Sequence, residues 1–253
     1  MAKTAPVQSR RDVMPTAVPE AGPKKSRVSR GFDLYRSAVG KKYVMAVTGI
    51  FLMAYVFVHM LGNLKLYLGA AELNEYGEWL RELLVPFFPR TVTLWILRIG
   101  LFGAFVLHIH ASYALTRMNM RSRPVKYQSK RDYVAANFAA RTMRYSGMIV
   151  LLFLLYHLAD LTWGFANPDF VRGDVFHNVI ASFSFWPAAL FYILANLALG
   201  VHLYHGSWSL FQSLGINNPR FNHWRRYFAV AFALVVTLGN LSFPMAVLLG
   251  YGR

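Results

Sequence analysis

Five long apolar stretches, separated by polar and charged segments, dominate the pattern along the chain. Residues 43–64 carry no charge over 22 positions. At 1.5 Å per residue, a helix of that length crosses the roughly 30 Å hydrocarbon core of a bilayer. Residues 91–116 are apolar except for Arg98, and residues 145–165 are apolar up to Asp160. Residues 175–219 contain no Asp, Glu, Lys or Arg, and the spanning part is expected at 184–210. Residues 227–251 complete the set, with Pro244 expected to kink a helix that lipid burial tolerates. In the first connecting loop, 69–89, Leu73, Tyr76, Trp79, Leu80, Leu83 and Leu84 recur at helical spacing opposite Glu72, Glu75 and Glu82. That spacing predicts an amphipathic helix lying at the membrane surface. No internal repeat stands out.

Composition sharpens the picture. The chain is 56% hydrophobic and only 15% charged, which excludes a disordered chain and argues against an ordinary soluble enzyme. The fold class expected is all-α, a polytopic membrane protein of five transmembrane helices. Residues 1–32 are read as a disordered basic tail without the apolar core of a secretory signal peptide, and 33–253 as the membrane domain. Cys is absent, so disulfides, thiolate catalysis and cysteine-ligated metal in this chain are excluded.

The formal charge of +16 is unevenly placed. The tail through Lys42, residues 117–144 and residues 220–226 hold 21 of the 27 Lys and Arg residues. Seven of the eleven acids fall on the opposite side: Glu72, Glu75, Glu78, Glu82, Asp160, Asp169 and Asp174. The positive-inside rule then predicts a cytoplasmic N-terminus, an external C-terminus and residence in the cell membrane. The basic charge is read as topology and docking, with no nucleic-acid partner.

Six of the eight histidines fall inside the expected spans: His59, His108, His110, His157, His202 and His205. Ionisable side chains are costly there and are usually functional. Counted from the cytoplasmic ends, His59 lies about 24 Å deep and His157 about 18 Å. His108 and His110 lie about 9–12 Å deep, and His202 and His205 roughly 7–12 Å. The first and third spans thus supply an outer layer, the second and fourth an inner one. Two His ligands from facing helices at two depths is how a four-helix bundle holds two b-type haems. A zinc or copper site would want three or four ligands at one depth. A transporter's proton relay would usually add carboxylates at the middle depths, and none is found there. His108 and His110 point about 200° apart, so only one can face the bundle core. His202 and His205 share a face, and either can ligate. Arg98 lies at a depth to pair with an outer propionate or to snorkel toward headgroups. His177 and His223, in loops, are read as solvated.

The chain resembles the cytochrome b558 membrane anchor of succinate dehydrogenase and fumarate reductase, of the single-subunit, five-helix, two-haem type. The stretches that carry the likeness begin with Lys42-Tyr-Val-Met-Ala-Val-Thr-Gly49, His59-Met-Leu-Gly-Asn63 and Asn74-Glu-Tyr76. They continue through His108 with Leu115, Asn119 and Arg123-Pro124, then Ser146-Gly147, His157 and His202-Leu-Tyr-His-Gly206. The resemblance implies one axial ligand from each of the first four spans: His59, His108, His157 and His205, with His110 and His202 as the alternatives. It implies two haem b groups and a quinone substrate, menaquinone or ubiquinone. It also implies a flavoprotein and an iron–sulfur subunit docked on the cytoplasmic face, with a higher oligomer of the complex left open. Leu203 and Tyr204 stand where some members carry an acidic residue linked to proton transfer. Tyr76, Glu78, Trp79 and Glu82 in the first external loop are the candidate quinone residues. Other possibilities are a dihaem anchor of a different respiratory oxidoreductase and a haem-free transporter or structural anchor.

Overall fold

A computed structural model describes residues 33–122, 134–216, 218, 220 and 222–252, with side chains of 134–141 not included. The expected basic tail, 1–32, and most of the loop carrying Lys126, Lys130 and Arg131 lie outside the described residues. Among the described residues there are helices and no strands. In order they are α1 (Ala38–Asn63), a 3-10 turn (Leu64–Leu68), α2 (Ala70–Arg81), α3 (Val92–Arg121), α4 (Val134–Leu161), α5 (Val175–Ser184), α6 (Trp186–Ser213) and α7 (Asn222–Leu248). Five of these, α1, α3, α4, α6 and α7, are long and apolar enough to cross a membrane. The chain is an all-α, multi-pass membrane protein.

Local chemistry sets the boundaries. Ser37 caps α1, its side chain accepting from the Gly40 N–H, which satisfies one of the donors a helix start leaves free. The amphipathic helix forms as α2, but it ends at Arg81, so Leu83 and Leu84 lie beyond it. Leu73 on its inner stripe is 4% exposed. The apolar run 175–219 holds two helices separated by extended backbone at Phe185, so the span begins at Trp186, two residues after the expected 184, and ends at Ser213, three after the expected 210. Pro187 sits in the first turn of α6, where its fixed φ and missing N–H cost nothing. The third span stops at Leu161, four residues short of the expected 165. There the Thr162 and Trp163 N–H groups fold back on the Leu158 carbonyl, and Gly164 follows at φ 79°. The last span runs on through Pro244, which is buried against its neighbours.

Two antiparallel hairpins, α1 with α3 and α4 with α6, make the bundle, and α7 packs on α6 and α1. The core sits on that α1–α6–α7 side. One cluster at the far end joins Leu66, Leu73, Phe183, Tyr192, Phe243 and Val247. A second, at mid-depth, joins Leu203, Ala233 and Val236 with Met53, Phe57 and Phe232 around them. By comparison α3 has little close backbone contact with α4 or α6, and α1 has little with α4. Burial follows: 39% of the most apolar window of α6 is buried, against none of that of α3. The hairpins therefore meet along one seam and stand apart elsewhere. α2 and α5, the connections within each hairpin, pack together at the far end.

Candidate functional site

The two hairpins deliver their histidines to the space between them in two layers. At the far level, His59 of α1 and His157 of α4 face each other with ring centroids 5.9 Å apart and planes at 85°. At the near level, His108 of α3 lies within electrostatic reach of His202 of α6. On α1, Thr48 contacts the near-level ring of His108 and stands eleven residues before His59. On α4, Ser146 contacts His202 and stands eleven residues before His157. Eleven residues rise roughly 16 Å, so both hairpins give the same spacing between layers.

Each ring is held by its Nδ1. The Thr48 hydroxyl donates to the Val44 carbonyl at 2.7 Å, leaving its oxygen to accept from His108 Nδ1–H at 3.2 Å. The Ser146 hydroxyl donates to the Met143 carbonyl at 3.2 Å and accepts from His202 Nδ1–H at 3.3 Å. The Tyr192 hydroxyl donates to Asp160 at 2.7 Å and accepts from His157 Nδ1–H at 3.3 Å. A neutral imidazole with its proton on Nδ1 has a lone pair on Nε2, the tautomer that binds a metal. Holding the other ring nitrogen is what partners of metal-ligating histidines do. The fourth ring, His59, has the Asn63 amide 3.3 Å from Nδ1, and that group can offer either nitrogen or oxygen.

Glycines make room for the near pair. A Cβ on Gly49 would meet His108 Cε1 at 3.5 Å, and one on Gly147 would meet His202 Cε1 at 3.3 Å. These contacts expose a repeat in the sequence. Met45-x-x-Thr48-Gly49 precedes His59 as Met143-x-x-Ser146-Gly147 precedes His157, with nine residues between Gly and His in both. The Met45 carbonyl reaches the His108 ring as the Met143 carbonyl reaches His202. The repeat unit is span, far-end helix, span: residues 38–121, then 134–213.

The remaining expected residues sort by position. His205, three residues nearer the C-terminal end of α6 than His202, is buried at 7% exposure with Nδ1 3.2 Å from Thr142 Oγ1. The resemblance points to His205, whereas His202 is the one within electrostatic reach of His108. His110 is exposed, stacks on Tyr35 and has its Nδ1 2.5 Å from the Tyr35 hydroxyl, away from the facing pairs. Arg98 lies over the Trp95 ring at 5.2 Å and within electrostatic reach of Tyr55, whose ring stacks on His59. His177 and His223 are both exposed.

Beyond His59, α2 and the 3-10 turn form an open surface hollow of about 450 Å³ lined by Lys65, Glu72, Glu75, Tyr76 and Trp79. Tyr76 and Trp79 lie together there, with ring centroids 5.8 Å apart and stacked. Glu78 and Glu82 are not among the lining residues. Both are held by arginines instead: Glu78 pairs with Arg81 and Arg90, and Glu82, just past the end of α2, lies 3.7 Å from Arg90. Glu72, bonded to Lys65 at 2.8 Å, and Glu75 take their place.

Among the described residues, no three His, Asp or Glu side chains gather to hold a bare metal ion. Two-nitrogen layers suit a metal that brings its remaining ligands with it. Metal–nitrogen bonds of about 2.0–2.1 Å on either side of one ion put two imidazole centroids roughly 6 Å apart, close to the 5.9 Å of the far pair. The far pair's spacing is thus that of two imidazoles held on one metal ion whose remaining ligands come from elsewhere. No protein-family model, curated protein or solved structure matches the chain.

Proposed function

We propose that this chain is the membrane-anchor cytochrome b subunit of a succinate:quinone oxidoreductase or fumarate reductase. One observation supports the reading: four histidines from four helices sort into two pairs about 16 Å apart in depth, the far pair facing at 5.9 Å and each ring with a polar partner at Nδ1. His59 with His157 would hold one haem b and His108 with His202 the other, His202 replacing His205 in the set that the resemblance implies. When bound, the haems supply one-electron transfer across the bilayer, with potentials tuned by axial ligation and surroundings.

The chain's own residues do the rest. Thr48, Ser146 and Tyr192 fix imidazole tautomer and ring direction. Arg98 offers a cation to a propionate at the far level. The surface hollow beyond His59 accepts a quinone head group against the Tyr76 and Trp79 rings, and Lys65, Glu72 and Glu75 stand ready to exchange its protons. The basic N-terminal face, cytoplasmic by the positive-inside rule, docks the iron–sulfur subunit and its flavoprotein. Dicarboxylate chemistry belongs to the flavoprotein, so this subunit is an electron-transfer and quinone-reacting part of the enzyme.

The decisive measurement is a pyridine-haemochrome count on the purified subunit in detergent or nanodiscs. Two haem b per chain is the expected result. A preparation that is folded and colourless overturns the reading in favour of a haem-free transporter or structural anchor.

A further inference from the structure

Asp160 is the charged side chain that the pattern of apolar spans least anticipates. It lies on α4 one turn beyond His157 and is 1% exposed. Ser182 of α5 donates to its Oδ2 at 2.6 Å, and Tyr192 of α6 donates to the same oxygen at 2.7 Å. Two hydroxyls converging on one oxygen is the arrangement of a carboxylate acting purely as acceptor. Burying such a group costs several kcal/mol unless it is hydrogen-bonded, so the two donors account for its survival there. They do not account for its position. Because Tyr192 spends its proton on Asp160, its oxygen faces His157 Nδ1 with lone pairs only. The carboxylate thereby dictates, through one phenol, which nitrogen of His157 carries the proton. The matching position in the first hairpin is Gly62, so the device exists on one side of the far pair alone.

We propose that Asp160 is a positioning residue which, through Tyr192, holds His157 in the Nδ1–H tautomer and strengthens electron donation from Nε2 to the far-level haem. The inference rests on the ligand assignment above. Negative charge and a stronger donor both favour oxidised iron, so their removal should raise the potential of that haem and leave the other unchanged.

The test is a redox titration of the intact membrane complex, following the two spectral components. Asp160→Asn should keep both haems and shift the far component's redox equilibrium about tenfold toward reduction, about 59 mV for one electron. Tyr192→Phe should shift it in the same direction, and Asp160→Glu should return it toward the starting value. Ser182→Ala, which leaves the Tyr192–His157 link in place, should give no upward shift. An unmoved far component in Asp160→Asn or an equal rise in Ser182→Ala overturns the proposal. So does a shift confined to the near component. If Asp160→Asn does not accumulate, Tyr192→Phe decides by the same criterion. Absence of any b-type spectrum in the unaltered protein defeats the cytochrome reading itself, whereas two haems with unmoved potentials defeat only the role of Asp160.

Discussion

The two hairpins are built alike at one end and differently at the other. At the near level each holds its own second-helix histidine from its own first helix: Thr48 to His108, and Ser146 to His202. A glycine follows each hydroxyl, and a methionine carbonyl precedes it. At the far level the symmetry is gone. His59 is steadied from within its own helix by Asn63, four residues on. His157 is steadied from α6 by Tyr192, backed by Asp160. Gly62, which stands where the second hairpin has Asp160, instead admits Tyr76, since a Cβ there would lie 2.7 Å from that ring. The duplicated part thus makes a matched pair, and the diverged part gives the far pair two unlike neighbours. One is an open hollow beside α2 and the other a buried carboxylate.

Removing histidines breaks the comparison most severely. His59→Ala and His157→Ala should each abolish the same haem component, and His108→Ala and His202→Ala the other, because an empty axial position beside a cavity does not retain the group. His110→Ala and His205→Ala should keep both components in optical spectra. Loss of different components from the His59 and His157 variants would break the layer assignment.

Glycine substitutions sharpen it at intermediate cost. Gly62→Ala, with Cβ 2.7 Å from Tyr76 Cε1, must displace that ring and should raise the KM for quinone several-fold while the near component is unchanged. Gly147→Ala presses on His202 at 3.3 Å and should broaden or shift the near component. Gly49→Ala, at an ordinary 3.5 Å from His108, should do so less. Equal effects at Gly49 and Gly147 would mean that the near level has more slack than its distances indicate.

The smallest expected effect concerns the latch between the hairpins. Asn74 of α2 donates to Asp174 at 3.0 Å and accepts from the Phe176 N–H at 3.1 Å. Asp174 also caps α5, accepting from the His177 N–H at 2.9 Å. That backbone bond, with the Asn74 amide next, holds the Asp174 carboxyl below the usual carboxylate range. A depressed carboxyl contributes stability in full above its unfolded value and loses it as pH falls through the lower folded one. Hydrogen exchange at α2 and the start of α5 should therefore stay slow down to the ordinary Asp range and quicken only below it. In Asn74→Ala the exchange should be faster already at neutral pH.

The spans were legible because their signal is local: 43–64 needs only its own uncharged length to be recognised. The surface helix was legible for the same reason, from Leu73, Tyr76 and Leu80. The break at Phe185 was harder, since its neighbours are as apolar as the helices they separate, and Pro187 was the available mark. The choice between His202 and His205 could not be read from α6, where both share a face. It depends on what α4 sets opposite them, the Ser146–Gly147 step. The sequence puts Asp160 near the outer end of the third span but not its burial, which depends on Ser182 and Tyr192 much later in the chain. The repeat is carried by four positions on each of two helices that otherwise share little.

The uneven packing of the bundle bears on how such a protein is put together. The α1–α6–α7 seam is closed by direct side-chain contact and has no need of anything between the hairpins. The α3 and α4 walls lack such mutual support. A newly inserted chain would therefore already be a half-zipped sleeve, rigid along one edge and slack along the other. A flat guest dissolved in the bilayer could enter sideways without dismantling the seam, and its arrival would draw the slack edge shut.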